Sequence, residues 1–203
     1  MRSSVPAIFA LALCWQASGP ALADEAAWAA LARPGTFAVL RHALAPGTGD
    51  PADFALGDCR TQRNLSDAGR AQARRIGAAF AARGIAVDRI LTSQWCRGRE
   101  TATELSGALQ GPEPGWTAAV PVADLPALNS FFGGRGDSRA QTAAALRFLR
   151  QVPAEEKLLL VSHFVNVRAL TGVGTGSGEI VVFELDEAGA VEVLGEIRIE
   201  PPA

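Results

Sequence analysis

Apolar residues fall along this chain in short runs, and the runs alternate with stretches of helical period. Residues 36–40 (TFAVL), 89–92 (RILT) and 157–162 (KLLLVS) predict strands, followed by 179–185 and 191–199. The middle members are continuous apolar runs, as expected of strands covered on both faces in a mostly parallel sheet. Residues 116–122 add a weaker strand candidate. Between these runs, residues 66–83 predict a helix. Ser66 is its N-cap and Asp67 lies in its first turn, where the helix dipole favours an acid. Ala73, Ile76, Ala79 and Phe80 form its apolar stripe, Arg70, Arg74 and Arg75 face water, and Gly84 closes it. Further helices are expected over 99–109, from Asp137 or Ser138 to 151, and over 166–170. Strands alternating with helices predict an α/β fold, a three-layer α/β/α sandwich with a mostly parallel central sheet.

Glycine and proline punctuate the pattern at 45–51, 111–115, 133–136 and 172–178, which read as loops. No domain boundary falls within 24–203. Ahead of that span, Arg2 precedes an apolar run over 5–15, and Ala21-Leu22-Ala23 forms a small-x-small pattern before Asp24. Residues 1–23 are therefore expected to be a secretory signal peptide cut after Ala23. The apolar run is too short to span a bilayer comfortably. The expectation is a periplasmic or secreted protein with no stable membrane insertion after cleavage.

Of 203 residues, 48% are hydrophobic and 20% charged, the balance of one ordinary globular domain. The formal charge of −2 argues against a nucleic-acid partner. Loss of residues 1–23 would remove Cys14 and leave Cys59 and Cys96, either a disulfide or two free thiols.

The chain has two histidines, His42 and His163, and each follows an apolar strand run by one polar residue. Arg41 stands beside the first, and the RILT run leads shortly to Arg97. Open parallel sheets bind ligands outside the carboxyl ends of their strands. Three such ends bring two imidazoles and two guanidiniums to one rim. A guanidinium fork suits phosphate oxygens, and a neutral imidazole is a competent nucleophile near neutrality. Two histidines beside two arginines make a poor metal site. No G-x-S-x-G elbow, Walker loop or G-x-G-x-x-G fingerprint is present.

Four segments then resemble the histidine phosphatase superfamily, which includes the cofactor-dependent phosphoglycerate mutases. Arg41-His42-Ala43 resembles its Arg-His-Gly signature. Asn64-Leu65-Ser66 with Gly69, Gln72 and Ala73 resembles its helix entry. The run from Ser93 through Arg97 to Ala102 resembles its arginine segment, and Leu160-Val161-Ser162-His163 its second-histidine strand. The resemblance implies the phosphoglycerate mutase-like fold and a phosphohistidine mechanism without metal or organic cofactor. In it His42 is the nucleophile, Arg41 and Arg97 clamp the phosphoryl oxygens, and His163 donates to the developing charge. Thr48, Arg63 and Asn129 become candidate substrate contacts. Some exported members resemble the stretch Asp58-Cys59-Arg60-Thr61-Gln62-Arg63-Asn64. That likeness puts Cys59 and Cys96 on the active-site rim, where a bridge would help fix Arg97.

The chain departs from the family pattern in places. Ala43 replaces glycine, Ala45 and Thr48 stand where the family has a hydroxyl and an asparagine, and Gln94-Trp95 replace Pro-Leu. The family's acidic proton donor aligns with Asn129, which cannot give a proton. Asp124, ahead of Asp137, is the expected substitute. The function expected is a phosphomonoesterase acting on a small-molecule or envelope-linked phosphate. The alternative is a non-catalytic phospholigand-binding module. A mutase is disfavoured, because it needs the missing acid and its glycolytic substrates are absent outside the cell.

Overall fold

The five main apolar runs expected to be strands lie in a single mixed sheet. A computed structural model describes residues 20–109 and 119–202. Its strands are β1 (Thr36–Arg41), β2 (Arg89–Thr92), β3 (Val122–Asp124), β4 (Leu158–Ser162), β5 (Ile180–Leu185) and β6 (Val191–Ile197), in the order β3-β2-β4-β1-β5-β6. β3, β2, β4 and β1 pair in parallel; β5 runs against β1, and β6 runs against β5. Only β5 therefore opposes the common direction, and β1, β2, β3 and β4 end on one rim.

The period of two along β1 divides the core. Ala38 and Leu40 face a cluster built with Leu31, Ile76, Phe80 and Leu105. Phe37 and Val39 face the other, with Leu149, Val167 and Leu170. The first cluster is covered by α1 (Pro20–Leu31), α2 (Asp67–Ala82) and α3 (Cys96–Ala108), the second by α4 (Ser138–Leu149) and α5 (Phe164–Thr171). The result is the expected α/β/α sandwich.

Local signals explain the helix ends. Ser66 Oγ accepts the Gly69 N–H at 3.1 Å and caps α2. Asp137 does the same for α4, accepting from Ala140 at 2.8 Å, so this carboxylate is a cap. Gly172, at φ 79°, ends α5 in the left-handed region that a side chain resists. Gly69 answers to a different demand. A Cβ there would lie 2.0 Å from Leu44 O, so only glycine lets α2 start against the chain leaving β1.

Two elements differ from expectation. β3 occupies Val122–Asp124, overlapping the weak candidate only at Val122, and residues 116–118 lie outside the described residues. Helix α1 was not foreseen. Its alanine-rich sequence carries little amphipathic contrast, yet Ala27, Trp28 and Leu31 are buried beneath it. The expected signal peptide lies outside the described residues up to position 19, and its last four residues stand in the first turn of α1.

Candidate active site

The sheet ladder sets the two imidazoles side by side. β1 and β4 pair with Arg41 opposite Ser162, and the His42 N–H continues the ladder to Ser162 O at 2.9 Å. The next residue on each strand is a histidine. Their ring centroids lie 5.3 Å apart at an interplanar angle of 67°, and both residues are buried. β2 completes the rim through Ser93, whose Oγ lies 2.8 Å from His163 Nε2.

His42 Nδ1 lies 2.8 Å from Ala43 O, a carbonyl that can only accept, so the proton sits on Nδ1. Nε2 is left with its lone pair, and Arg97 Nε donates to it at 3.2 Å. Burial, then the Arg97 charge, holds the His42 pKa well below the ordinary imidazole value. His163 is lowered likewise, by burial first and by His42 next. Both rings are neutral near pH 7.

Three guanidiniums line the same cavity of about 290 Å³. Arg41 reaches Thr175 O with Nη1 at 3.3 Å, while its buried Nε has no partner. Arg63 donates from Nε to Gly49 O at 2.8 Å and from Nη1 to Ala45 O. Burial and the neighbouring Arg97 bring the Arg63 pKa down to about 10. Crowded cations and an unpartnered donor are the signature of an anion seat.

Asp50 was not foreseen. It sits in the loop after β1, with only 5% of its side chain exposed. Oδ1 accepts Arg97 Nη1 at 2.6 Å and the Arg63 N–H at 3.1 Å; Oδ2 accepts Arg97 Nη2 and Trp95 Nε1, both at 3.1 Å. Burial alone would raise this carboxyl, but the Arg97 hydrogen bond and charge outweigh it, and the pKa ends lowered. Asp50 grips the end of the Arg97 fork and leaves the Nε side turned to His42. A lone aspartate in a glycine-rich loop carries no periodic signal, and its partner lies 47 positions away.

Of the foreseen residues, His42, His163, Arg41, Arg97, Arg63 and Thr48 all line this cavity. Asp124 does not. It ends β3 and is bound by Arg99, whose Nε lies 2.9 Å from Oδ1. The structure does not bring this expected proton donor to the two imidazoles. Asn129 is likewise outside the lining. Its Oδ1 accepts the Gln94 N–H at 2.8 Å and its Nδ2 donates to Gln94 Oε1 at 2.9 Å. It joins the loop after β3 to the segment that carries Trp95.

The remaining motif residues hold the scaffold. Gln72 Oε1 accepts the Leu44 N–H at 3.0 Å, and Thr101 Oγ1 accepts the Ala43 N–H at 3.0 Å while donating to Arg97 O at 2.7 Å. Cys59 and Cys96 form a disulfide that closes a separation of 37 residues beside Arg97. Cys59→Ser with Cys96→Ser is expected to lower the unfolding free energy by about 3–4 kcal/mol through loop entropy. Urea titration checks this, and an unchanged midpoint would contradict it.

The buried imidazoles also set a pH dependence. Their folded pKa values lie below 6.5, so the unfolded chain takes up more protons as pH falls under that value. Their stabilising contribution is complete above the unfolded pKa and declines as pH drops through the window below it. The urea midpoint should therefore be lower at about pH 5 than at about pH 7.5. A midpoint equal or higher at the acid pH would refute this assignment.

Residues 40–129 match the sequence model of the histidine phosphatase superfamily (branch 1). The matched span takes in His42, Arg63 and Arg97 of the cavity. The solved structure of the protein histidine phosphatase SixA complexed with tungstate is similar at a TM-score of 0.54 and 21% identity, covering 80% of this chain and 96% of that one. Mycobacterial glucosyl-3-phosphoglycerate phosphatase aligns at a TM-score of 0.54 and 14% identity, over 84% of this chain and 100% of its own. Mycobacterial hydrolase 1 aligns at 0.56 and 13%, over 84% and 100%. At these identities the likeness is one of fold. No curated protein matches the chain.

Proposed function

We propose that the chain is a phosphomonoesterase in which His42 Nε2 attacks phosphorus and is transiently phosphorylated. One observation carries the reading: a neutral imidazole with Nε2 free of its proton faces a cavity lined by Arg41, Arg63 and Arg97. As the Nε2–P bond forms, the bond from phosphorus to the leaving oxygen breaks, and the leaving oxygen takes a proton from solvent, which regains one from the water that later attacks phosphorus. Arg97 and Arg41 hold the equatorial oxygens, and His163 adds a polar contact on the neighbouring strand. Charge stabilisation of this kind is the main lever in phosphoryl transfer. Water then attacks phosphorus and releases His42 as neutral imidazole. The SixA and glucosyl-3-phosphoglycerate phosphatase likenesses favour phosphatase chemistry in the same fold.

The disulfide fits an oxidising compartment, and among the described residues no helix is long and apolar enough to cross a membrane. Both agree with delivery to the periplasm or the exterior through residues 1–23. The test is to mix the protein with p-nitrophenyl phosphate, quench, and look for an acid-labile, alkali-stable phosphoryl group on His42. Phosphate release without that intermediate rejects the mechanism.

A second reading, a phospholigand-binding module, is favoured by one observation. Among the described residues Asp50 is the sole carboxylate lining the cavity, and its ion pair with Arg97 keeps it ionised. Calorimetric binding of phosphate esters without turnover would select the module.

A further inference from the structure

The cavity has two unlike halves. One is the phosphoryl seat: Arg41, Arg63, Arg97 and the two imidazoles. Asp50 apart, the rest of the lining is Phe132, Phe164 and Val165, with Thr48, Ser130 and the glycines of the loop after β1. Phe132 is 49% exposed and Phe164 37%; among the described residues only Leu56, Val122 and Val193 join them as large apolar side chains so open to water. Two of these five residues thus line one cavity. Exposed apolar surface beside a polar anchor is the ordinary composition of a ligand site.

The rings are placed by the seat itself. Arg41 Cζ lies 5.9 Å from the Phe164 ring centroid. Phe132 lies over the loop that carries Asp50, where a Cβ on Gly49 would come within 3.8 Å of Phe132 Cε1. Charge limits the ligand further. Three guanidiniums and the Asp50 carboxylate leave two positive charges in the cavity, with both imidazoles neutral. That matches one phosphomonoester, which carries nearly two negative charges at pH 7. Among the described residues, the cavity lining holds no cation beyond these three guanidiniums for a second phosphate or a carboxylate.

We propose that the ester taken by this cavity bears a single phosphoryl group on a flat, uncharged, apolar body seated between Phe132 and Phe164. This rests on the phosphatase reading for its chemistry, but it is testable by binding alone. Three phosphonates serve as probes in calorimetry: methylphosphonate, benzylphosphonate and phosphonoacetate. They differ beyond the phosphoryl group by a bare methyl, an aromatic ring and a second anion.

Benzylphosphonate should bind at least about tenfold more tightly than methylphosphonate, the scale of discrimination available to an apolar pocket. Phosphonoacetate should gain nothing over methylphosphonate. In the double variant Phe132→Ala/Phe164→Ala the benzyl-to-methyl ratio should collapse toward one. The ratio compares two ligands on one protein, so it is insensitive to the fraction folded. If that variant binds no phosphonate, Phe132→Leu/Phe164→Leu is measured instead, and its ratio must fall below wild type. Equal wild-type affinities, a ratio that survives both variants, or a preference for phosphonoacetate each overturn the inference. Failure of all three probes to bind removes the seat and this inference with it. The expected ratio without any phosphoenzyme would leave this inference standing and end the hydrolase reading.

Discussion

His42→Ala is expected to lower kcat/KM for p-nitrophenyl phosphate by at least about a thousandfold, the scale seen when a covalent nucleophile is removed. The argument rests on what surrounds Nε2. Its tautomer is set by Ala43 O, its approach is fixed by the β1–β4 ladder, and Arg97 stands 3.2 Å away. No other described side chain in the cavity has this arrangement. His163 is the nearest rival, but its Nε2 meets the Ser93 hydroxyl at 2.8 Å and not a guanidinium. Alanine leaves the arginines in place, so phosphate should still bind to the variant. Loss of turnover with retained phosphate affinity is the signature; wild-type hydrolysis by His42→Ala would dismiss the mechanism.

Asp50→Ala should be the most damaging substitution outside the two histidines. It leaves Arg97 buried, at 3% side-chain exposure, with no counter-charge. Removing one partner of a buried pair costs about 3–5 kcal/mol, partly the penalty of the orphaned charge. Asp50→Asn separates stability from positioning. The amide keeps one acceptor for Arg97 but cannot grip both ends of the fork. Its kcat should fall by about a hundredfold, as for a small misplacement of a catalytic contact, with KM changed far less. Urea unfolding and steady-state kinetics on both variants check this. Wild-type stability in Asp50→Ala together with wild-type kcat in Asp50→Asn would show that the pair is incidental.

Much of this site was legible in the sequence, and the reason is the sheet. A histidine one residue past an apolar run has its place assigned by strand direction, so His42 and His163 were found together. Arg41 and Arg97 followed from the same strand ends. Cys59 and Cys96 were left as bridge or free thiols by spacing alone, and the structure bridges them. What stayed hidden depends on side-chain direction or distant partners. Asp124 follows the right strand, yet its carboxylate turns to Arg99 on α3. Asn129 aligns with an acid and instead holds Gln94. Asp50 has no motif, because a salt bridge between a loop and a helix leaves no period in the chain. Helix α1 was masked by an alanine-rich sequence that reads equally well as a leader.

The pairing of Arg41 with Ser162 turns the sheet into a ruler. Neighbouring strands stand about 4.8 Å apart, and the two imidazoles inherit that rung spacing from the backbone. A slip of one position along either strand would swing its histidine to the opposite layer. The placement of His42 is therefore as durable as the ladder, while the loops around the cavity mouth are free to drift.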